Sequence, residues 1–107
     1  MFRAAKVDEN QPEIVKAFRG LGFTVLIISQ LKNCCDIIVS RKGRTIAVEI
    51  KDGKKLPSQR KLSPGEQKFR DGWQGEYALI ESVDDVIEMV RDVGINSPTH
   101  NPHRAYI

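Results

Sequence analysis

Cysteine is scarce. Cys34 and Cys35 are the only two in 107 residues, and they are adjacent. Neighbouring cysteines rarely close an unstrained disulfide, and there is no CxxC pair for zinc, so neither a disulfide nor a zinc framework builds this fold. Two half-buried thiols in a reducing cytoplasm are expected instead. Long apolar runs are also missing. The longest, Val25-Leu26-Ile27-Ile28, is far below the ~20 residues that span a bilayer, and Met1 to Lys6 lacks the apolar stretch of a signal peptide. A cytoplasmic protein without membrane contact is expected. Both histidines, His100 and His103, fall in a Pro-containing end segment without carboxylate company, so the HxxH spacing there is not read as a metal site. Aromatics make up 7% and form no ladder on which single-stranded bases would stack. No repeat or low-complexity segment is visible.

What is present fits one globular domain, with 40% apolar and 29% charged residues. The net charge of +3 hides an asymmetry: Lys32 to Lys61 carries nine basic and three acidic residues, net +6, and the rest is net −3. A basic block in mid-chain suggests a polyanionic partner.

Asp8 or Asn10 can cap a first helix through about Gly20, with Ile14, Val15, Phe18 and Leu21 as its apolar stripe. Phe23 to Ile28 reads as a buried strand. Cys35 to Ser40 and Thr45 to Lys51 read as strands joined around Arg41-Lys42-Gly43-Arg44, a hairpin signal. Asp52 to Leu62 is a polar loop. Ser63-Pro64-Gly65-Glu66 opens a second helix: Ser63 caps, Pro64 takes the first position and Glu66 closes a capping box. Phe69 and Trp73 are its apolar face. Tyr77 to Ile80 is a fourth strand. Ser82 with Asp85 forms another capping box, followed by a stripe of Val83, Val86, Ile87, Val90 and Val93 ending at Gly94. Residues 1–94 form the domain and 95–107 an irregular tail. The order predicts an α/β (α+β) domain: a meander of three strands, then a right-handed crossover to a parallel fourth, giving a mixed sheet flanked by helices.

The hairpin decides the chemistry. A two- or four-residue loop pairs residues whose numbers sum to 85, so Asp36 faces Glu49, and Lys51 shares the face of Glu49. Opposed strand residues have Cβ atoms ~5 Å apart, close enough for two carboxylates to repel. A divalent cation removes that repulsion, and two carboxylates, waters and phosphate oxygens are a usual Mg²⁺ shell. Lys51 can hold or activate a water, or neutralise charge developing on a phosphate. Both carboxylates interrupt runs otherwise fit for burial, where an unliganded charge is costly.

Asp36 followed by Glu49-Ile50-Lys51 after a hairpin, in this element order, resembles the PD-(D/E)XK nuclease superfamily. Glu13, Cys35-Asp36-Ile37-Ile38-Val39, Val48-Glu49-Ile50-Lys51, and Lys61-Leu62-Ser63 followed by Gln67 narrow the likeness to the virus-type replication-repair nuclease (VRR-NUC) family, in the short stand-alone form that phages carry. The pattern spans residues from about 10 to 75. Cys35 stands where the family expects proline, and the basic loop is longer than the family's usual link. The resemblance implies a restriction-endonuclease-like αβββαβ core. It makes Asp36, Glu49 and the Ile50 carbonyl ligands of Mg²⁺ or Mn²⁺. Lys51 would position or deprotonate the attacking water, Glu13 would complete the outer metal shell, and Gln67 would face the site from the second helix.

Lys54, Lys55, Arg60 and Lys61 lie where they can meet DNA phosphates beside the scissile one. Nothing reads bases, so recognition by shape is expected. The expectation is an endonuclease acting on branched DNA, a Holliday junction or a flap, and working as a homodimer because two-sided cleavage needs two sites. The rivals are an inactive DNA-binding module of the same fold and a metal-independent RNase of the tRNA-splicing type.

Overall fold

The computed structural model describes residues 7–92. The order is α1 (Gln11–Gly20), β1 (Thr24–Ile27), β2 (Ile37–Arg41), β3 (Arg44–Ile50), a 3-10 turn (Pro57–Gln59), α2 (Pro64–Gly72), β4 (Glu76–Ile80) and α3 (Val83–Asp92). The strands lie in the order β1-β2-β3-β4 in one sheet. β1 pairs with β2 and β2 with β3 antiparallel, and β3 pairs with β4 parallel. This is the mixed, helix-flanked sheet that the element order predicts.

The β2–β3 register follows from its turn. Lys42 and Gly43 have φ of 52° and 82°, the left-handed pair of a two-residue hairpin loop, and Gly43 adopts it without a Cβ penalty. Arg41 then pairs with Arg44 and Ile37 with Val48, the expected register. One face of the sheet carries Val25, Ile37, Val39, Ile46, Val48, Ile50 and Ile80, packed against Ile14, Val15 and Phe18 of α1 and Val86 and Val90 of α3. The predicted helical stripes are corrected at their margins. Leu21 is exposed because the helix ends before it, and Ile87 is exposed while Met89 packs on the core, so α3 is rotated relative to the expected stripe. Val93, Gly94 and the 95–107 tail lie outside the described residues.

Caps follow the sequence closely. Ser63 Oγ accepts from the Glu66 N–H at 3.2 Å, and Glu66 Oε1 accepts from the Ser63 N–H at 2.8 Å, the complete reciprocal box. Ser82 Oγ accepts from the Asp85 N–H at 3.2 Å, but Asp85 reaches back to the N–H of Glu81, at 2.9 Å, rather than to that of Ser82. Asn10 stands at the cap of α1 without a side-chain cap bond. Its amide instead donates to the carbonyls of Lys51 and Glu81, at 3.0 and 3.1 Å, and so ties the start of α1 to the ends of β3 and β4.

Candidate active site

The second face of the sheet carries the site. Asp36 lies at a bend just before β2. Its C=O accepts from Ile28 N–H beyond β1 at 2.9 Å, while its N–H donates to Val48 C=O on β3 at 3.0 Å. In a regular antiparallel strand both groups of one residue serve the same neighbour. The split means that the ladder shifts by one residue at Asp36, so the simple opposition to Glu49 expected from the register is modified. The carboxylate takes over the ladder bond, with Oδ2 accepting the Ile50 N–H at 2.7 Å.

Glu49 is 2% exposed, and its carboxyl contacts that of Asp36. Burial, then the neighbouring Asp36 charge, pushes the Glu49 pKa up from 4.5 to about 10. Asp36 is also raised, chiefly by burial, against the opposing pull of the Ile50 N–H. Glu49 therefore holds a proton at neutral pH and shares it with its neighbours.

Lys51 Nζ lies 3.9 Å from Glu49 Oε2 and 2.7 Å from Glu66 Oε1. Burial alone would lower the Lys51 pKa, but the bond to Glu66 and the surrounding carboxylates raise it, so it is an ammonium. Burial works to raise the Glu66 pKa, yet Lys51 and the Ser63 N–H together hold it low. Glu66 thus serves the helix cap and the lysine with one oxygen.

Asp36, Glu49 and Lys51 are brought together as the sequence implies. Two other implied residues are placed elsewhere. Gln67 is exposed, and its amide donates to the Leu62 carbonyl at 3.0 Å. One helical position is ~100° of rotation, and the capping box turns Glu66, not Gln67, toward β3. Glu13 is exposed and lines a separate cavity with Asn10, Asp52, Gly53, Lys54, Glu81, Ser82 and Asp85. The acid near the site from the amino-terminal side is Asp8, whose charge acts on both Asp36 and Lys51. Sequence alone gives neither Asp8 nor Glu66 a role at the site. The signal for Glu66 was its capping box, which fixes the direction of its side chain.

The basic residues divide. Lys55 faces Asp8 at 4.0 Å, and Arg60 is bound to the Lys55 carbonyl at 2.8 Å and to Glu81 at 3.1 Å. Lys54 and Lys61 are exposed. A polar cleft of about 220 Å³, lined in part by Ser29, Lys32, Asn33, Asp36, Ser63 and Glu66, opens onto the carboxylates.

No group of three or more His, Cys, Asp or Glu is arranged to hold a metal among the described residues. A cation at Asp36 and Glu49 would rest on two carboxylates and draw the remaining oxygens from the main chain, water and phosphate, a set that suits Mg²⁺ or Mn²⁺. The buried, mutually opposed acids fit such an ion, because a dication offsets the cost that now keeps Glu49 protonated.

The chain matches no family model, no curated protein and no solved structure. No described helix is long and apolar enough to cross a membrane.

Proposed function

We propose that this chain is a Mg²⁺- or Mn²⁺-dependent deoxyribonuclease that hydrolyses phosphodiester bonds in branched DNA as a homodimer. The observation that supports this reading most is the buried Asp36–Glu49 carboxyl pair with the Lys51 ammonium beside it. A structural core gains nothing from two opposed acids, whereas metal-dependent phosphodiester hydrolysis uses both a metal seat and a nearby cation.

A bound cation supplies Lewis-acid polarisation of the phosphate and a more acidic water. Asp36 and Glu49 would supply its ligand oxygens, with the Ile50 carbonyl, between Glu49 and Lys51 in sequence, as the third protein ligand that the resemblance implies. Lys51, as an ammonium, orients water or phosphate and neutralises charge developing on the phosphate oxygens. Glu66 keeps Lys51 charged and aimed. Lys54 and Lys61, exposed in the segment between β3 and α2, meet neighbouring phosphates.

The test is a panel of four-way junction, flap, fork, linear duplex and single strand, each with Mg²⁺, Mn²⁺ or EDTA. Wild type is expected to cut branched substrates only with metal. Asp36→Ala, Glu49→Ala and Lys51→Ala are expected to lose at least ~100-fold in rate, in line with removal of one charged catalytic group. Cutting by Glu49→Ala at the wild-type rate overturns the reading. Binding without cleavage marks an inert module, and cleavage that survives EDTA overturns the metal dependence.

A further inference from the structure

Tyr77 carries a hydroxyl that is buried without a hydrogen-bond partner. Nearly every buried polar group in a folded protein is bonded, so an orphan calls for an explanation. It stands on the second face of the sheet. Tyr77 pairs with Ala47 in the parallel β3–β4 register, and Leu79, two residues on, pairs with Glu49. Side chains two apart on a strand share a face, so Tyr77 and Glu49 are diagonal neighbours beneath α2. Diagonal same-face neighbours on adjacent strands are ~7–8 Å apart, a span that the tyrosine ring with its oxygen and the glutamate side chain cover together. The charged groups acting on the phenol are Glu49, Arg70 and Glu66, with Cys35 beyond them.

We infer that the Tyr77 hydroxyl is a positioning group for Glu49, donating a hydrogen bond to the Glu49 carboxylate once that carboxylate turns to a bound divalent cation. The inference rests on the metal-dependent reading above. As the protein stands, Glu49 is engaged with Asp36 and Glu66, and the phenol is left over. With one oxygen turned to a cation, Glu49 has a spare lone pair, and Tyr77 is a rigid donor held on the adjacent strand. Carboxylates that bind metals are themselves hydrogen-bonded, and those bonds orient them. The donor is built in before the ion arrives, so the ion need not order it.

The experiment is Mn²⁺ titration calorimetry on the full chain, with thermal melts in EDTA, for wild type, Tyr77→Phe, Glu49→Gln and the double variant. Tyr77→Phe keeps the ring, so the fold is retained. It is expected to weaken Mn²⁺ binding ~10–100-fold, the usual loss when a ligand's supporting bond is removed. Its melting temperature in EDTA is expected to be unchanged or higher, because an unbonded buried hydroxyl has been deleted. In the Glu49→Gln background, Tyr77→Phe is expected to add nothing further. Equal Mn²⁺ affinity in wild type and Tyr77→Phe overturns the inference and leaves the nuclease reading intact. A lower melting temperature for Tyr77→Phe in EDTA also overturns it, because the hydroxyl then has a structural partner. A wild type that binds no Mn²⁺ overturns both.

Discussion

Lys51 and Glu66 are joined across the gap between β3 and α2 by a 2.7 Å ion pair, and the same Glu66 oxygen caps the helix. One carboxylate therefore links the end of β3 to the helix that follows it. Glu66→Gln retains an oxygen for the Ser63 N–H and removes the charge that holds Lys51. It is expected to melt within a few degrees of wild type and to lose most cleavage. Glu66→Ala also breaks the box and is expected to cost a further ~1 kcal/mol of stability, the usual worth of a cap. Melts and single-turnover rates on the same preparations separate the two effects.

The Glu49 pKa is raised from 4.5 to about 10, so the folded state keeps a proton that the unfolded chain releases. Stability from this group is complete below about 4.5 and is lost as pH rises toward about 10. Asp36 shifts in the same direction and adds to the effect, whereas Glu66, held low, works the other way at acid pH. Melts in EDTA across this range are expected to fall on the alkaline side for wild type and to flatten in Glu49→Gln. Mn²⁺ is expected to stabilise wild type more at high pH than at low pH, since it competes with the proton, and to do little for Glu49→Gln. A flat wild-type profile would contradict the assignment.

A methyl group at Gly65 would overlap the side-chain oxygen of Asn33, a residue held at φ 55° in the loop that forms the other lip of the cleft. Gly65→Ala alone is expected to gain little, because its helix-propensity benefit of up to ~1 kcal/mol is offset by displacing that amide. Combined with Asn33→Gly, which also suits the left-handed backbone, the full gain is expected. Urea melts of the four proteins give the coupling energy directly.

Exposed Lys54 and Lys61 are free to meet phosphates, while Arg60 is committed to Glu81 and the Lys55 carbonyl. The Lys54→Ala/Lys61→Ala protein is expected to bind junction DNA with a salt slope shallower by ~1.8, about 0.9 for each phosphate contact. Arg60→Ala is expected to change the slope less and the melting temperature more. Anisotropy titrations at several salt concentrations check both.

The parts of the fold legible in the sequence are those set by short-range rules. Lys42-Gly43 fixes the loop length, and the loop length fixes which residues share a face with Glu49. Ser63 to Glu66 marks the start of α2 to the residue. The one-residue shift at Asp36 was not legible, because it arises when a side chain replaces a main-chain acceptor, and no periodicity records that choice. Gln67 lies one helical step from Glu66, and that step turns its amide from the strand to the Leu62 carbonyl. Glu13 fits a helical pattern equally well facing either way, and only the packing of α1 against α3 and the Asn10 bonds settle its direction. Tyr77 gave no signal, since an unbonded hydroxyl is a property of what surrounds it.

Helix α2 buries none of its residues. It is fastened by polar ties, namely Glu66 to Lys51 and Trp73 Nε1 to the Glu76 carbonyl at 2.8 Å. Apolar burial is what makes local opening expensive, so α2 belongs to the low-stability end of the molecule while the sheet beneath it belongs to the high end. Its amides are expected to exchange with solvent through local opening, well before those of β2 and β3. Denaturant should therefore dismantle the site before it melts the sheet, with the loss of Lys51 alignment preceding any loss of strand structure.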